Sequence, residues 1–467
     1  MKGLCAFLST SLALSASGVI GAALEPVKRA SSVTPITIKG NAFWQGNKRF
    51  YIRGVDYQPG GSSKVDDPIG EPDQCKRDIA KFKDLKINTV RVYAVDNSKN
   101  HDECMKALAD AGIYLALDVN TPKYSINRAE PKQSYNDVYL QNLFATVDEF
   151  VKYDNTLLFF SGNEVINDAT NTQSAPYVKA VTRDLKQYMA AQKYRKVPVG
   201  YSAADVEENR AQMAAYMNCG SDDVRSDFFA FNDYSWCDPS SFTTSGWDQK
   251  VKNFSDYNIP LFLSEYGCNK NTRQFQEVKS LYSTQMTSVF SGGLVYEYSD
   301  EPDNPGYGLV KINGNSVTTN KDYDALKKAF AGTPDPSGDG GYKKSGLSSK
   351  CPTTKSKNWS VTNDKVPTMP SGAKKYLTSG AGKGKGLSGP GSQTAGTPSS
   401  GFEDAGNAQS SNSPDSGSTG TSSSSSSSAS ATKTGAAAAV RAPEMSVASF
   451  VCGFVVVASS LLGAALF

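Results

Sequence analysis

The chain has 467 residues, which is long enough for two or three average domains, and its 49 Lys and Arg nearly balance its 46 Asp and Glu. The net charge of +3 excludes the strong positive field expected of a nucleic-acid-binding protein. With a single histidine, His101, the chain is also excluded from histidine-rich metal chemistry, and we predict no metal and no organic cofactor. Because His101 stands where a predicted helix begins, we favour a solvated helix-start residue over a catalytic one.

The first 23 residues have the pattern of a secretory signal peptide, with an early Lys2, an apolar stretch and small residues near the end. The pair Lys28-Arg29 follows, and it is either a dibasic processing site or an ordinary exposed basic pair. We therefore expect an exported protein whose folded part covers residues 31–376.

Strand and helix patterns alternate through residues 31–376. After a hairpin over 36–47, strands are predicted at 50–56, 89–93, 113–118, 157–161, 197–201, 228–231, 260–264 and 294–298. Helices are predicted at 73–86, 102–111, 136–153 and 175–191. This repeat predicts an α/β fold of the (β/α)₈ TIM-barrel type. A doubly wound open sheet is the alternative, but no glycine-rich phosphate-binding motif follows the first strand.

The composition changes after Tyr376. Residues 377–434 are rich in Ser, Thr and Gly, with an unbroken serine run at 422–428, which predicts a disordered and O-glycosylated stalk. Residues 435–467 combine small residues, a short spacer and an apolar terminus, the pattern of a GPI-attachment signal that is removed, with attachment near Gly435. A tail-anchored helix is the alternative, disfavoured because no Lys or Arg follows the apolar stretch.

Cysteine usage agrees with export. Outside the leader and the tail there are six cysteines, namely Cys75, Cys104, Cys219, Cys237, Cys268 and Cys351. An even number in an exported chain predicts three disulfides, with about fifteen possible pairings, against the alternative of free buried thiols. No CxxC motif supports a zinc module. Asn253 and Asn358 begin N-glycosylation sequons.

Polar side chains end nearly every predicted strand. Asn163-Glu164 follows the fourth strand and Glu265 the seventh. The other strand ends carry Asp56, Gln58, Arg91, Tyr93, Asp118, Asn232, Tyr234, Tyr296 and Glu297. A lone glutamate at a strand end is more often structural, but the carboxyl ends of barrel strands meet at one face, where catalysis occurs. Two glutamates there suit glycosidic chemistry, which uses one acid to protonate the leaving oxygen and one carboxylate to attack the sugar.

The arrangement of the two glutamates resembles the glycoside hydrolase clan A barrels. Longer strings resemble glycoside hydrolase family 72 in particular, the fungal GPI-anchored β-1,3-glucanosyltransferases; these strings are 35–43, Gly162-Asn163-Glu164-Val165-Ile166-Asn167-Asp168, 175–184, Leu263-Ser264-Glu265-Tyr266-Gly267-Cys268 and 295–298. The resemblance covers residues 31 to about 351.

The resemblance implies Glu164 as acid/base and Glu265 as nucleophile, with Arg91 holding Glu265 ionised. It further implies that Asn163 binds the sugar 2-hydroxyl and that Tyr93, Asp118, Tyr234 and Tyr296 line the sugar sites. Gln58 at the first strand end and Tyr307, as a platform for an acceptor ring, complete the predicted substrate-binding set. The implied disulfides are Cys75–Cys104, Cys219–Cys351 and Cys237–Cys268. The chain resembles the subgroup without a Cys-rich carbohydrate-binding module, since no cysteine lies between Cys351 and Cys452.

The predicted function is retaining transglycosylation: an internal β-1,3-glucan bond is cleaved, and the new reducing end joins the non-reducing end of another β-1,3-glucan, which elongates cell-wall glucan. The expected partners are a glucan donor, a glucan acceptor and a membrane bound through a GPI lipid, with the protein a monomer on the extracellular face of the plasma membrane and in the cell wall. The alternatives are a hydrolytic endo-β-1,3-glucanase with the same site and an inactive wall-binding protein.

Overall fold

The computed structural model describes residues 33–61, 65–301 and 304–406. The described chain begins with a small antiparallel sheet of three strands, β1 (Ile36–Lys39), β2 (Ala42–Gln45) and β3 (Lys48–Phe50). Eight parallel strands follow and close into a barrel in chain order, confirming the predicted fold class. They are β4 (Ile52–Asp56), β5 (Thr89–Val92), β6 (Tyr114–Asp118), β7 (Thr156–Asn163), β8 (Val199–Ala204), β9 (Phe228–Asp233), β10 (Leu261–Tyr266) and β11 (Phe290–Val295).

Helices between the strands form the outer layer. They are α1 (Pro72–Leu85), α2 (Asp102–Asp110), α3 (Pro131–Ser134), α4 (Asp137–Phe150), α5 (Ala175–Ala191), α6 (Arg210–Met217), α7 (Trp247–Asn253) and α8 (Glu277–Leu281). A two-stranded sheet, β12 (Val310–Asn313) and β13 (Ser316–Thr319), and α9 (Lys321–Ala331) follow the barrel. The end of the described chain contains β14 (Lys365–Pro367), α10 (Tyr376–Ser379) and β15 (Phe402–Asp404), with short 3₁₀ turns at Thr172–Ser174 and Ser371–Ala373.

The last barrel strand lies earlier in the chain than predicted. The prediction placed it at 294–298, whereas β11 ends at Val295, so Tyr296 and Glu297 follow the strand. The beginning of β11 was not predicted because it contains two glycines, and glycine is a poor strand former. Gly292 is required there: its φ is +87°, and a Cβ would lie 2.1 Å from the Ile52 carbonyl oxygen of the neighbouring strand.

The small amino-terminal sheet packs against the amino-terminal end of the barrel. The Phe43 ring lies 5.9 Å from Phe262 and 6.4 Å from Phe228, both near the beginnings of their strands. Phe160 and Leu294 belong to the same fully buried cluster. Side chains fill this end of the barrel and its centre, and barrel enzymes place their active sites at the opposite, carboxyl-terminal face.

The three disulfides pair as the resemblance implied, namely Cys75–Cys104, Cys219–Cys351 and Cys237–Cys268. The first joins α1 to α2, and the third joins the segments that follow β9 and β10 at the carboxyl-terminal face of the barrel. The disulfides therefore stabilise both the outer helical layer and the carboxyl-terminal face of the barrel.

Two predictions about order and exposure are wrong. Residues 377–406 were predicted as the beginning of the disordered stalk, but they pack on the barrel, and β15 pairs with β14. Hydrogen bonds between barrel side chains and the backbone of this segment hold it, together with close glycine contacts and burial of Ala381 and Ala405 in the core. His101 is 1 % exposed rather than solvated, because Asp67 and Glu149 bind its two ring nitrogens at 2.7 and 3.1 Å.

Several predicted features lie outside the described residues: the signal peptide, the rest of the stalk and the GPI signal with Gly435. In the part of the chain that is described, no helix is long and apolar enough to cross a membrane. Asn253 is exposed and Asn358 is partly exposed, so both sequons lie at the surface.

Candidate active site

Glu164 directly follows β7 and has an unusual backbone. Its φ of +47° lies in the left-handed region, which costs a side-chain-bearing residue roughly 1–2 kcal/mol. Two bonds to the backbone hold it: its N–H donates to the Ser202 carbonyl at 2.9 Å, and the Arg128 guanidinium donates to its carbonyl at 2.7 Å. At the side chain of Glu164, Asn232 Nδ2 donates to Oε1 at 2.8 Å. Such strain is typical of functional positions.

Glu265 lies within β10 and is 7 % exposed. Two phenol groups donate to its carboxylate, Tyr93 to Oε1 at 2.8 Å and Tyr234 to Oε2 at 2.7 Å. Arg91 Nη1 lies 3.3 Å from Oε1. Burial raises the pKa of both tyrosines well above the usual value, so they remain protonated donors.

The burial of Glu265 opposes its predicted ionisation. Burial and the negative charge of Glu164 together raise the pKa of Glu265 to about 7, although Arg91 and the two phenols oppose the rise. Arg91 therefore acts in the predicted direction but is outweighed by burial.

Strand pairing and hydrogen bonds place Asn232 between the two glutamates. In the pairing of β9 with β10, Asn232 stands opposite Glu265, about 5 Å away at ordinary strand spacing, and its side chain donates to Glu164. The Ser264 hydroxyl donates to Asn232 Oδ1 at 2.8 Å and lies 2.8 Å from the Ser202 hydroxyl. Ser202 in turn donates to Asn163 Oδ1 at 2.7 Å. The barrel thus brings Glu164 and Glu265 to the same mouth.

Arg91 is fully buried beneath the site and binds Asp118 as well as Glu265. Its Nε and Nη2 lie 2.9 and 3.3 Å from the Asp118 carboxylate oxygens, and Asp118 is 4 % exposed. Asp118 thus orients Arg91, and its role as a sugar ligand stays a prediction.

Gln58 is also engaged with the protein. Its Oε1 accepts from the Tyr93 and Ala94 backbone N–H groups, each at 3.1 Å, and its Nε2 donates to the Asp66 carbonyl at 2.6 Å. Gln58 thus fixes the backbone that carries Tyr93, and its contact with substrate stays a prediction.

Three tyrosines form an aromatic wall beside Glu265. The ring centroids lie 5.2 Å apart for Tyr296 and Tyr307, 5.6 Å for Tyr234 and Tyr307, and 6.3 Å for Tyr234 and Tyr296. Each is partly exposed, and Tyr296 is held by a 2.8 Å hydrogen bond to Glu301. Aromatic faces with hydroxyl tips suit the apolar faces and polar rims of sugar rings.

The prediction missed several residues around the two glutamates. Asn232 was noticed only as a strand end, and Ser202 and Ser264 gave no signal, since serine in a strand is common. Arg128 comes from a loop, and no sequence pattern places a loop side chain against a particular carbonyl. Two acids predicted at strand ends, Asp56 and Glu297, are buried, and burial raises the pKa of Asp56 well above its usual value and that of Glu297 to about 9.

In the described ranges, no group of three or more His, Cys, Asp or Glu side chains is placed to hold a metal ion. A closed (β/α)₈ barrel with two glutamates after its fourth strand and in its seventh defines an enzyme of the glycosidase type.

Comparison with known proteins identifies the family. Residues 25–334 match the glucanosyltransferase model of glycoside hydrolase family 72, and the chain belongs to this family.

Characterised relatives are similar over most of their length. The 1,3-beta-glucanosyltransferase gel1 of Aspergillus fumigatus is 69% identical over 82% of this chain and 84% of its own. The 1,3-beta-glucanosyltransferase GAS5 of Saccharomyces cerevisiae is 54% identical over 79% of this chain and 77% of its own. Among solved structures, a mutant of Saccharomyces cerevisiae Gas2p in complex with laminaritetraose and laminaripentaose shares 39% identity at a TM-score of 0.67, covering 73% of this chain and 76% of that one.

Proposed function

We propose that this protein is a retaining 1,3-β-glucanosyltransferase whose catalytic pair is Glu164 and Glu265. The observation that carries the proposal is the convergence of these two carboxyl groups at the barrel mouth, through Asn232, beside a wall of three tyrosines. The names of the family relatives support glucan transfer as the reaction.

In the first step, an ionised Glu265 oxygen attacks the anomeric carbon at an internal β-1,3 bond. Glu164 protonates the departing glycosidic oxygen, so one glucan fragment leaves and the other remains as a covalent ester of Glu265. Tyr93 and Tyr234 hold the Glu265 carboxylate in place by donating to its two oxygens. Asn163, whose oxygen accepts from Ser202, would donate from its amide nitrogen to the sugar 2-hydroxyl.

In the second step, a hydroxyl at the non-reducing end of another glucan attacks the ester. Glu164, now ionised, removes the proton from that hydroxyl, and the Glu265 carboxylate is released as the new β-1,3 bond forms. Transfer requires that a sugar be positioned better than water. Tyr296 and Tyr307 are the proposed platform for the acceptor ring.

The products of a laminari-oligosaccharide test this function. The purified protein should convert a substrate of one length into products longer and shorter than that substrate. Products that are only shorter would support the alternative, an endo-β-1,3-glucanase. Glu164→Gln and Glu265→Gln should each abolish turnover while leaving the circular dichroism spectrum unchanged, and full activity in either variant would contradict the assigned roles.

The cellular setting is proposed from the sequence. Residues 1–23 would direct export, and a GPI lipid near Gly435 would anchor the protein to the extracellular face of the plasma membrane, with glycans at Asn253 and Asn358. Release of the protein from intact cells by a phosphatidylinositol-specific phospholipase tests the anchor, and retention after this treatment would contradict it. The protein should elute as a monomer in size-exclusion chromatography.

A further inference from the structure

The end of the described chain, residues 365–406, lies along the outside of the barrel and is called the strap below. It begins and ends in the sheet formed by β14 and β15, which packs on α5. Arg183 of α5 is 1 % exposed, and its Nη1 donates to the Pro367 carbonyl at 2.7 Å and to Glu403 at 2.6 Å. A buried arginine of the barrel therefore fastens both ends of the strap.

Glycines let the strap approach the barrel closely. A Cβ added to Gly384 would lie 2.2 Å from Asn97 Oδ1, and one added to Gly389 would lie 2.3 Å from the Tyr124 hydroxyl. Both distances are far below van der Waals contact, so side chains cannot be accommodated without displacement. The glycines of this segment, which predicted disorder, instead allow its backbone to lie directly against the surface of the barrel.

The strap binds the loop between β6 and α4 on both sides of Arg128. Before Arg128, the Ser392 N–H donates to the Lys123 carbonyl at 2.9 Å, and Gln393 Nε2 donates to the Ser125 carbonyl at 2.8 Å. After Arg128, Asn136 Nδ2 donates to the Ser392 carbonyl at 2.7 Å. The loop is thus fixed at two points that flank one side chain.

That side chain reaches the active site. Arg128 Nη2 donates to the carbonyl oxygen of Glu164 at 2.7 Å, at the residue whose φ is +47°. A strained conformation persists only where its surroundings hold it. The contacts therefore form a continuous route from the strap, through the loop and Arg128, to the backbone of Glu164.

We propose that the strap is a positioning element of the catalytic unit, which holds Arg128 so that Arg128 maintains the left-handed backbone of Glu164. This inference rests on the proposed role of Glu164 as acid/base. It predicts that loosening the strap slows the chemical step and leaves substrate binding nearly unchanged. Within the described ranges, the wall of Tyr234, Tyr296 and Tyr307 forms no hydrogen bond or ring contact with the strap.

The test uses the full-length protein with single changes in the strap. Gly389→Ala introduces the clash with Tyr124, and Gln393→Ala removes a surface hydrogen bond without a clash, so it serves if the first variant folds poorly. Gly401→Ala is the matched control, since a Cβ there meets nothing within 4 Å. For each protein, kcat and KM for a laminari-oligosaccharide and hydrogen exchange in residues 119–137 are measured.

We expect Gly389→Ala to increase exchange in residues 119–137 and to lower kcat about tenfold, with KM changed less than about twofold, because small misplacement of a catalytic group is costly. Gln393→Ala should act in the same direction by about two- to threefold, and Gly401→Ala should match the wild type. Arg128→Ala should lower kcat without increasing exchange in the strap.

Faster exchange with unchanged kcat, or unchanged exchange in both variants, would overturn the proposal. So would a fall in activity that only follows the loss of folded protein. If the wild type transfers no glucan, the proposed function fails, whereas exchange in residues 119–137 still decides whether the strap holds the loop.

Discussion

Single side chains determine which groups at the barrel mouth carry charge. Glu265 is buried against Arg91 and two phenols, yet burial and the charge of Glu164 raise the pKa of Glu265 to about 7. A nucleophile must be ionised, so the free enzyme gains its active form as the pH rises toward that value. Tyr93 and Tyr234 add hydrogen bonds that favour the ionised carboxylate.

The raised pKa of Glu265 predicts a pH-dependent cost to stability. The folded protein binds this proton up to about pH 7, whereas the unfolded chain releases it near 4.5, so the free energy of unfolding falls as pH rises across this window. Glu265→Gln should therefore gain stability relative to the wild type between these values, by at most about 3 kcal/mol. Urea denaturation at several pH values measures the difference. A constant difference would contradict the raised pKa.

Asp56 offers a second prediction at the residue scale. It is 0 % exposed, neither carboxyl oxygen has a hydrogen-bond partner among the described residues, and burial raises the pKa of Asp56 well above its usual value. Because an asparagine has nearly the shape and charge of the protonated acid, Asp56→Asn should keep kcat within about threefold of the wild type. Steady-state kinetics on a laminari-oligosaccharide provides the test, and a loss above about tenfold would mean that Asp56 works as an anion.

At the scale of elements, loops after the barrel strands are held by buried polar groups. His101 precedes α2 and joins two separate parts of the chain, Asp67 in the loop after β4 and Glu149 in α4. Although burial lowers the pKa of His101, hydrogen bonds to these two carboxylates raise it to about 9. A charged, buried imidazolium therefore fastens this side of the barrel.

This pair of bonds predicts a loss of stability at alkaline pH. The folded pKa of His101 is raised from 6.5 to about 9, so its contribution is fully present below 6.5 and disappears as pH rises through 9. The wild type should lose up to about 3 kcal/mol over this range, and His101→Gln should not. Denaturant midpoints at pH 6 and pH 10 measure this, with Lys106→Ala, at an exposed pair with Asp110, as the control. If the midpoint falls equally between pH 6 and pH 10 in the wild type and in His101→Gln, His101 is not charged in the folded protein.

At the scale of the whole molecule, disulfides connect distant parts of the chain. Cys219–Cys351 closes a separation of 132 residues and Cys75–Cys104 one of 29. In the chain-entropy account, removing the disulfide that closes the longer loop lowers the free energy of unfolding by about 5 kcal/mol, and removing the one that closes the shorter loop lowers it by about 4 kcal/mol. Double Cys→Ser variants at each pair should therefore differ by about 1 kcal/mol in the free energy of unfolding, with Cys219–Cys351 more costly. The reverse order in guanidinium denaturation would contradict this ranking.

The barrel was predictable because its signals are local. Short apolar runs that end in polar residues mark each strand, and amphipathic periods mark helices such as α5, whose predicted limits agree with Ala175–Ala191. Two glutamates at strand ends followed from the same rule, since a barrel gathers those ends at one face. Glycine obscured this signal at Gly292, where the strand needs close backbone approach rather than a favourable side chain.

The sequence alone therefore determined the barrel, the glutamate pair and the family. Periodicity, strand ends and family motifs each depend on residues that are close together in the sequence. Only the tertiary structure decided that Asp118 and Gln58 bind protein groups, that His101 is buried between two acids, and that residues 377–406 are ordered. Each of these outcomes depends on partners far apart in the chain, such as Gly384 with Asn97 and Arg183 with Glu403. Burial and hydrogen bonding between such distant groups are properties of the folded molecule, and composition does not encode them.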